Sequence, residues 1–296
     1  MRDAMTPVIR VELLGGLGNQ LFQAAAGLAL AMRLGGQLEF DLWRFRKSGA
    51  RSYAMEGLGH GALISGHRQS WAGRLAHRTW RRLRFGRPGA PPFWPGDVLT
   101  EASFAYDPRI EAISGSCYLS GYFQSEKYFQ GVSQDVRERL SLLPLVSAPA
   151  KDFAKRLTGD TLAVHVRIGD FRSETAFTQV HGTLDAGYYR QALAHALAAA
   201  PAARIFVFSD TPEAIPNLMP PGASYEIVKG FPAVDDMYLM AQARHHIIAN
   251  STFSWWSAWF DPRPDKLVIC PKQWFAADYL KNTDIRDLFP AGWITL

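Results

Sequence analysis

The sequence predicts an α/β protein made of two doubly wound, parallel-sheet domains. Three observations lead there. The chain opens as strand, glycine turn, helix and strand between Val8 and Asp41. From Thr161 to Cys270 it alternates strand and helix repeatedly. A Pro/Ala-rich stretch, Pro144 to Ala150, separates the two patterns. The expected division is therefore a first domain over residues 1–150, with an irregular Arg/Trp-rich insertion near 42–95, and a second over 151–296, whose last helix packs back on the first.

In the first domain Val8, Ile9, Val11, Leu13 and Leu14 mark a strand that Gly15-Gly16-Leu17-Gly18 breaks. A helix follows from about Asn19 to Leu34, with Leu21, Phe22, Ala25, Leu28, Ala29 and Met32 recurring at helical spacing. Gly35-Gly36 ends it, and Gln37 to Asp41 is a second strand. Between Leu42 and Pro95 the pattern dissolves, apart from a candidate helix near Trp71 to Arg84. Cys117 to Ser120 is a short strand, and Ser125 is placed to cap a helix running to Leu140.

The second domain starts with the strand Thr161 to Val166, then a helix from Tyr188 to Ala199 and a strand from Arg204 to Phe208. Thr211-Pro212 opens a helix in the manner of a cap followed by proline. Tyr225 to Val228 is a strand, and Val234 to Arg244 a helix. Ile247 to Ala249, Trp255 to Phe260 and Leu267 to Cys270 continue as strand, helix and strand. The mixed spacing of Trp255, Trp256 and Trp259 fits core better than a sugar-stacking platform.

With 296 residues, 48% hydrophobic and 20% charged, the composition is that of an ordinary globular protein. The two cysteines, Cys117 and Cys270, suit a reduced interior better than a lone bridge. Met1 to Arg10 lacks the apolar core of a signal peptide, and no window has the apolar length of a membrane span. The expectation is a soluble, cytoplasmic protein.

The formal net charge is +5. Much of the excess falls in one acid-free segment holding Arg68, Arg74, Arg78, Arg81, Arg82, Arg84 and Arg87, interleaved with Trp71, Trp80, Phe85 and Trp94. It reads as a solvated lobe or as a surface for anionic lipid headgroups or a pyrophosphate-linked acceptor, at the inner face of a membrane. Arginines beside aromatics would also suit nucleic acid, but no nucleic-acid motif matches and that partner is not expected.

The chemistry concentrates where strands end. Asn250-Ser251-Thr252-Phe253-Ser254 joins a strand to a helix, so small hydroxyl residues sit where unpaired N–H groups and the helix dipole favour an anion. The strand from Thr161 ends in His165-Val166-Arg167-Ile168-Gly169-Asp170, which puts His165 and Arg167 on one face. Arg167 can grip a phosphate with two parallel N–H donors, or pair with Asp170 as a structural ion pair.

The turn Gly15-Gly16-Leu17-Gly18-Asn19-Gln20 is neither a Walker A loop nor a full dinucleotide fingerprint. Its amides suit a phosphate or a sugar hydroxyl, while the commoner use of such an Asn19 is a plain N-cap. Asp210 ends an apolar strand, and Asp235-Asp236 begins a helix. Such carboxylates hold ribose hydroxyls or the guanine edge, or cap helices. His181 lies in a loop after the Arg167 turn. Metal ligation is poorly supported, because His245 and His246 alternate to opposite faces of a strand.

Taken together, these pieces resemble the α-1,2-fucosyltransferases of glycosyltransferase family 11. The matching runs are Gly15 to Gln23, Gly121-Tyr122-Phe123-Gln124-Ser125-Glu126-Lys127-Tyr128-Phe129, His165 to Asp170, Asp236 to Met240, and Ile248 to Trp256. The resemblance implies a GT-B architecture, with two Rossmann-like domains facing across a cleft. It implies GDP-fucose as donor, the 2-hydroxyl of a terminal galactose as acceptor (on an oligosaccharide, lipid-linked ones included), inversion at the anomeric carbon, and no required metal or other cofactor.

By the same resemblance Arg167 holds the β-phosphate, and His165 lies toward the ribose and base. Ser251, Thr252 and Phe253 add phosphate contacts, and Asn19 reaches the donor from the first domain. Gly18, Asp210, Asp236 and Asn250 complete the expected donor set, with Gln20 and His181 on the acceptor side. Asp170 or Glu174 is the expected base, and reaction without a strong base is the alternative. Where the family has a second Arg, this chain has Ile168, so Arg167 carries the phosphate role alone. A transferase using another nucleotide sugar, and a non-catalytic glycan-binding protein on the same scaffold, are the competing functions.

Overall fold

The structure, a computed structural model, describes residues 6–46, 52–58, 64–66, 94–168, 180, 182–281 and 283–296. The chain divides into two units, one of Met1–Ser141 with Asp284–Phe289, the other of Leu142–Thr283 with Pro290–Leu296. The candidate helix near Trp71 to Arg84 and the arginines from Arg68 to Arg87 lie outside the described residues.

The N-terminal unit holds β1 (Val8–Glu12), α1 (Leu17–Leu34), β2 (Gln37–Asp41), β3 (Ile64–Gly66), β4 (Asp97–Thr100) and β5 (Cys117–Ser120). Its strands pair in parallel in the order β3-β2-β1-β5-β4. The order reverses at β1, which pairs with β2 on one side and with β5 on the other. In such a parallel sheet the reversal of strand order leaves a crevice at the strands' carboxyl ends. Ile9, Val11, Leu21, Phe22, Ala25, Leu28 and Leu38 are buried, so α1 closes one face of the sheet with its apolar stripe.

The continuous helix expected from Ser125 to Leu140 is broken. Ser125 caps only a 3-10 turn, Glu126–Tyr128, accepting from Lys127 N at 3.3 Å. Phe129 then takes φ −142° and ψ 8°, outside the helical region, and α2 spans only Ser133–Arg139.

The C-terminal unit contains α3 (Ala148–Ala154), β6 (Thr161–Val166), α4 (Ala186–Ala199), β7 (Arg204–Ser209), α5 (Ile215–Leu218), β8 (Glu226–Val228), α6 (Ala233–Gln242), β9 (His245–Ile247), α7 (Thr252–Phe260), β10 (Val268–Cys270), α8 (Ala277–Leu280) and β11 (Ile294–Thr295). Its parallel strand order, β8-β7-β6-β9-β10-β11, is that of a doubly wound nucleotide-binding sheet, reversing between β6 and β9. All six residues of β6 are buried, as a central parallel strand requires.

Leu162, Val164, Val166, Tyr189, Leu193, Val207, Ile247 and Ile269 form the core here. Each such aliphatic side chain contributes about 1.5–3 kcal/mol by leaving water. Trp255, Trp256 and Trp259 are core residues, at 0–2% exposure. Thr211 provides no side-chain cap, and Pro212–Ala214 is a 3-10 turn before the single turn of α5. Cys117 and Cys270 are free thiols, each buried in its own unit's sheet. Among the described residues, no helix is long and apolar enough to cross a membrane.

Candidate functional site

In the C-terminal unit the register places two expected features side by side. Val164 on β6 is level with Ile247 on β9, so Arg167 and Asn250, each three residues further on, leave the sheet together at its switch point. His165 and Phe253 bind the two exits, with ring centroids 5.6 Å apart. Ser251 is the N-cap of α7, its hydroxyl accepting from Phe253 N at 3.3 Å. Thr252 and Phe253 form the first turn of α7, where N–H groups lack intrahelical partners. A guanidinium-bearing strand end and a helix N-terminus thus share one crevice.

Arg167 forms an ion pair with Asp210, at 3.1 Å from Nε; the alternative partner Asp170 lies outside the described residues. Asp210 follows β7 and also accepts from Ile168 N at 3.1 Å. Ile168, standing where a second Arg was expected, packs against the core of this unit. His165 is 4% exposed, and burial together with the Arg167 charge pushes its pKa down to about 3, so its ring is neutral at physiological pH. Its Nδ1 has no hydrogen-bond partner among the described residues.

The two acids of α6 divide their roles. Asp235 is a structural clamp: it accepts from Ser147 N at 2.9 Å and from the Ser147 hydroxyl at 2.5 Å, while that hydroxyl caps α3 through Ala150 N. Asp236 carries a buried Oδ1 without a partner among the described residues, and desolvation with the neighbouring Asp235 raises its pKa to about 7. Asn250 is 4% exposed and donates to the carbonyls of Gly182 and Trp274 at 3.4 and 3.3 Å, so it shapes the turn from behind. His245 and His246 are engaged by Asp160 and Asp261, each at 3.1 Å, on a strand that turns them to opposite faces.

The N-terminal unit's crevice has another chemistry. The helix α1 starts at Leu17, with Gly16 as its N-cap, so Gly18 and Asn19 lie inside the first turn and Asn19 is no cap. Asn19 Oδ1 accepts from Gln124 Nε2 at 3.1 Å. Gly15 must be glycine here: its φ is +80°, and a Cβ would collide with Asn19 Nδ2.

Gln20, expected on the acceptor side, is fully buried and taken up by backbone. It donates to Gly15 O and Ser52 O at 2.9 and 3.0 Å and accepts from Ala54 N at 2.9 Å. Acidic side chains line the strand ends. Glu12 binds Ser120 Oγ at 2.8 Å and Arg44 Nε at 3.2 Å, and Asp41 accepts from the Tyr118 hydroxyl at 2.7 Å.

Asp170, Glu174 and His181 lie outside the described residues. Sequence reasoning did not single out Glu101, Gln23 or Tyr188. Glu101 sits in an irregular stretch and carries no local signature. Tyr188 holds the exits of β9 and β10 from α4 by donating to Ile248 O at 2.7 Å, a contact that only tertiary structure reveals.

A parallel α/β unit whose switch point carries an arginine and a helix N-terminus is of the doubly wound class, with the groups an anion would need at the strand ends. The chain belongs to glycosyl transferase family 11, whose profile matches residues 109–296, and is a glycosyltransferase. It is 26% identical over 295 residues to an alpha-1,2-colitosyltransferase of Escherichia coli, covering 94% of this chain and 96% of that protein. It is 27% identical over 294 residues to the O-antigen biosynthesis glycosyltransferase WbnK of Escherichia coli, covering 90% and 94%. Among solved structures it is similar to the fucosyltransferase NodZ from Bradyrhizobium, with a TM-score of 0.45 and 15% identity over 86% of this chain and 93% of that one.

Proposed function

We propose that the protein transfers L-fucose from GDP-fucose, with inversion and without a metal, to the 2-hydroxyl of a terminal galactose on a glycan acceptor. The observation that carries this reading is the shared exit of Arg167 and the α7 N-terminus at one switch point. As the glycosidic bond to the β-phosphate breaks, its electron pair goes to the leaving GDP while the galactose oxygen attacks the opposite face. Negative charge therefore grows on the β-phosphate. Arg167, the Ser251 hydroxyl and the first-turn N–H of Thr252 stabilise it where it forms.

Asp210 stands after the unit's second strand, where an acid meets ribose hydroxyls in doubly wound sheets. Neutral His165 packs beside it toward the base, and Asp236 offers a carboxyl to the guanine edge. Asp170 or Glu174 takes the acceptor proton, or solvent does.

A second reading, transfer of colitose instead of fucose, is favoured by the similarity to an alpha-1,2-colitosyltransferase. Supplying each GDP-sugar with galactose-terminated acceptors, and assigning the product linkage by NMR, decides between them. Absence of product from both would overturn the transferase assignment of substrate. GDP binding by calorimetry separates an enzyme from a pure glycan binder, which would ignore GDP. EDTA should leave the rate within about twofold, and full loss would contradict metal independence. Peripheral contact with anionic membrane through Arg68 to Arg87 predicts vesicle binding that weakens when those arginines are neutralised.

A further inference from the structure

The loop after β5 is held in a conformation that its own residues disfavour. Phe123 has φ 52° and is fully buried. A bulky residue in the left-handed region costs on the order of 1–3 kcal/mol and persists only where its surroundings enforce it. Here they do so from two sides. The Glu101 carboxylate accepts from Tyr122 N at 2.6 Å and from Phe123 N at 3.0 Å. Gln23 Nε2 donates to Gly121 O at 3.1 Å from within α1. Gly121 is needed because a Cβ there would collide with the Glu101 side chain.

What this clamp delivers is the next residue. Gln124 is 4% exposed, and its Nε2 donates to Asn19 Oδ1 at 3.1 Å. Its own Oε1 is enclosed and has no hydrogen-bond partner among the described residues. An amide oxygen left in that state costs about 1–3 kcal/mol, which an arriving donor recovers. The buried acids Glu12 and Asp41 at the ends of β1 and β2 disfavour an anion in this crevice. A hydroxyl suits it, because a hydroxyl can donate to Gln124 Oε1 and accept from the Asn19 amide.

We propose that Gln124, paired with Asn19, recognises a hydroxyl of a neutral sugar in the N-terminal unit, and that Glu101 is the residue that positions it. This rests on the transfer reading and deepens it. The sugar is the fucosyl group of the donor or the galactosyl group of the acceptor, which share this chemistry.

The test is calorimetry with three probes, GDP, GDP-fucose and methyl β-galactoside, on the whole chain and on Gln124→Leu, Gln124→Glu and Glu101→Gln. Gln124→Leu should lower affinity about tenfold or more either for methyl β-galactoside or for GDP-fucose relative to GDP, and the affected probe identifies the source. GDP affinity itself should stay within twofold. Gln124→Glu, which keeps an acceptor oxygen, should restore part of the loss. Glu101→Gln should show a smaller loss on the same probe, with GDP unchanged, which a merely destabilised fold would not reproduce.

Sugar affinities within twofold of the parent chain in Gln124→Leu would overturn the proposal, as would equal losses for GDP and sugar. Should Gln124→Leu not fold, unchanged sugar affinity in Glu101→Gln overturns it. A parent chain that binds GDP but neither sugar also overturns it. Galactoside binding that depends on Gln124 in a chain indifferent to GDP would overturn the transfer reading alone.

Discussion

The two units use the same device, a parallel sheet whose order reverses at a central strand, and fill the resulting crevices with opposite chemistry. In the C-terminal unit β6 and β9 deliver a guanidinium, a neutral imidazole and a helix N-terminus. In the N-terminal unit β1 and β5 deliver amides backed by buried carboxylates. The lesson is that topology locates a site and side chains choose its ligand. The first crevice suits a diphosphate, and the second suits a neutral, hydroxyl-rich molecule.

The sharpest way to break this contrast is Arg167→Ala. It should lower kcat/KM by about 10²–10³-fold or more, with secondary structure by circular dichroism unchanged. Arg167→Lys should recover little, since an ammonium lacks the planar fork. An active Ala variant would remove the anion role from the C-terminal crevice.

Gly15→Ala attacks the other side. A left-handed backbone and a collision with Asn19 should destabilise the N-terminal unit by roughly 1–3 kcal/mol in urea unfolding and reduce transfer, while GDP affinity persists. Loss of GDP binding in that variant would mean that the contrast between crevices is false.

Much of this was legible in the sequence, and the parts that were not share a cause. Buried strands such as Thr161–Val166 and Arg204–Ser209 announce themselves as apolar runs. By contrast β4 exposes three of its four residues and β11 has only two, so neither carries a periodic signal. The glycine turn and the hydroxyl-rich turn at Ser251-Thr252 were visible because local chemistry demands those residue types, although the helix that Ser251 caps begins three residues before the expected Trp255. The partners of Asp210, Gln20 and Asp235 were not, because each lies 32 to 88 residues away. Glu101 was invisible for the same reason: its function is the backbone of a loop 21 and 22 residues downstream.

Two smaller effects sharpen the comparison. Ser251→Ala removes the α7 cap and should cost about 1 kcal/mol of stability, with a severalfold weaker GDP affinity. Unaltered GDP binding would confine Ser251 to a structural role.

The pH response should differ between units. Burial raises Glu101 from 4.5 to about 7, so the folded N-terminal unit binds more protons than the unfolded chain in that window. Its stability should decline as pH rises from about 4.5 to 7. Glu101→Gln should abolish that slope. His165 works in the opposite sense, its pKa falling from 6.5 to about 3, so its contribution is lost as pH drops below about 6.5. Asp236, raised to about 7, opposes His165 within the same unit. Hydrogen exchange resolved by unit reads both slopes, and identical slopes would contradict the assignment.

Far from the crevice, the C-terminal ends of α6 and α7 are tied down by cations. Lys266 donates to the carbonyls of Ala258 and Asp261 at 2.6 and 2.5 Å, and Arg263 reaches the carbonyls of Gln242 and Ala243. Asp261, shared by Arg263 and His246, locks that end in place. The rear of α7 is thereby earthed, and its front behaves as a fixed electrode. On the proposed transfer reading, charge arriving there would meet dipoles already aligned, leaving little reorganisation energy to supply during bond cleavage.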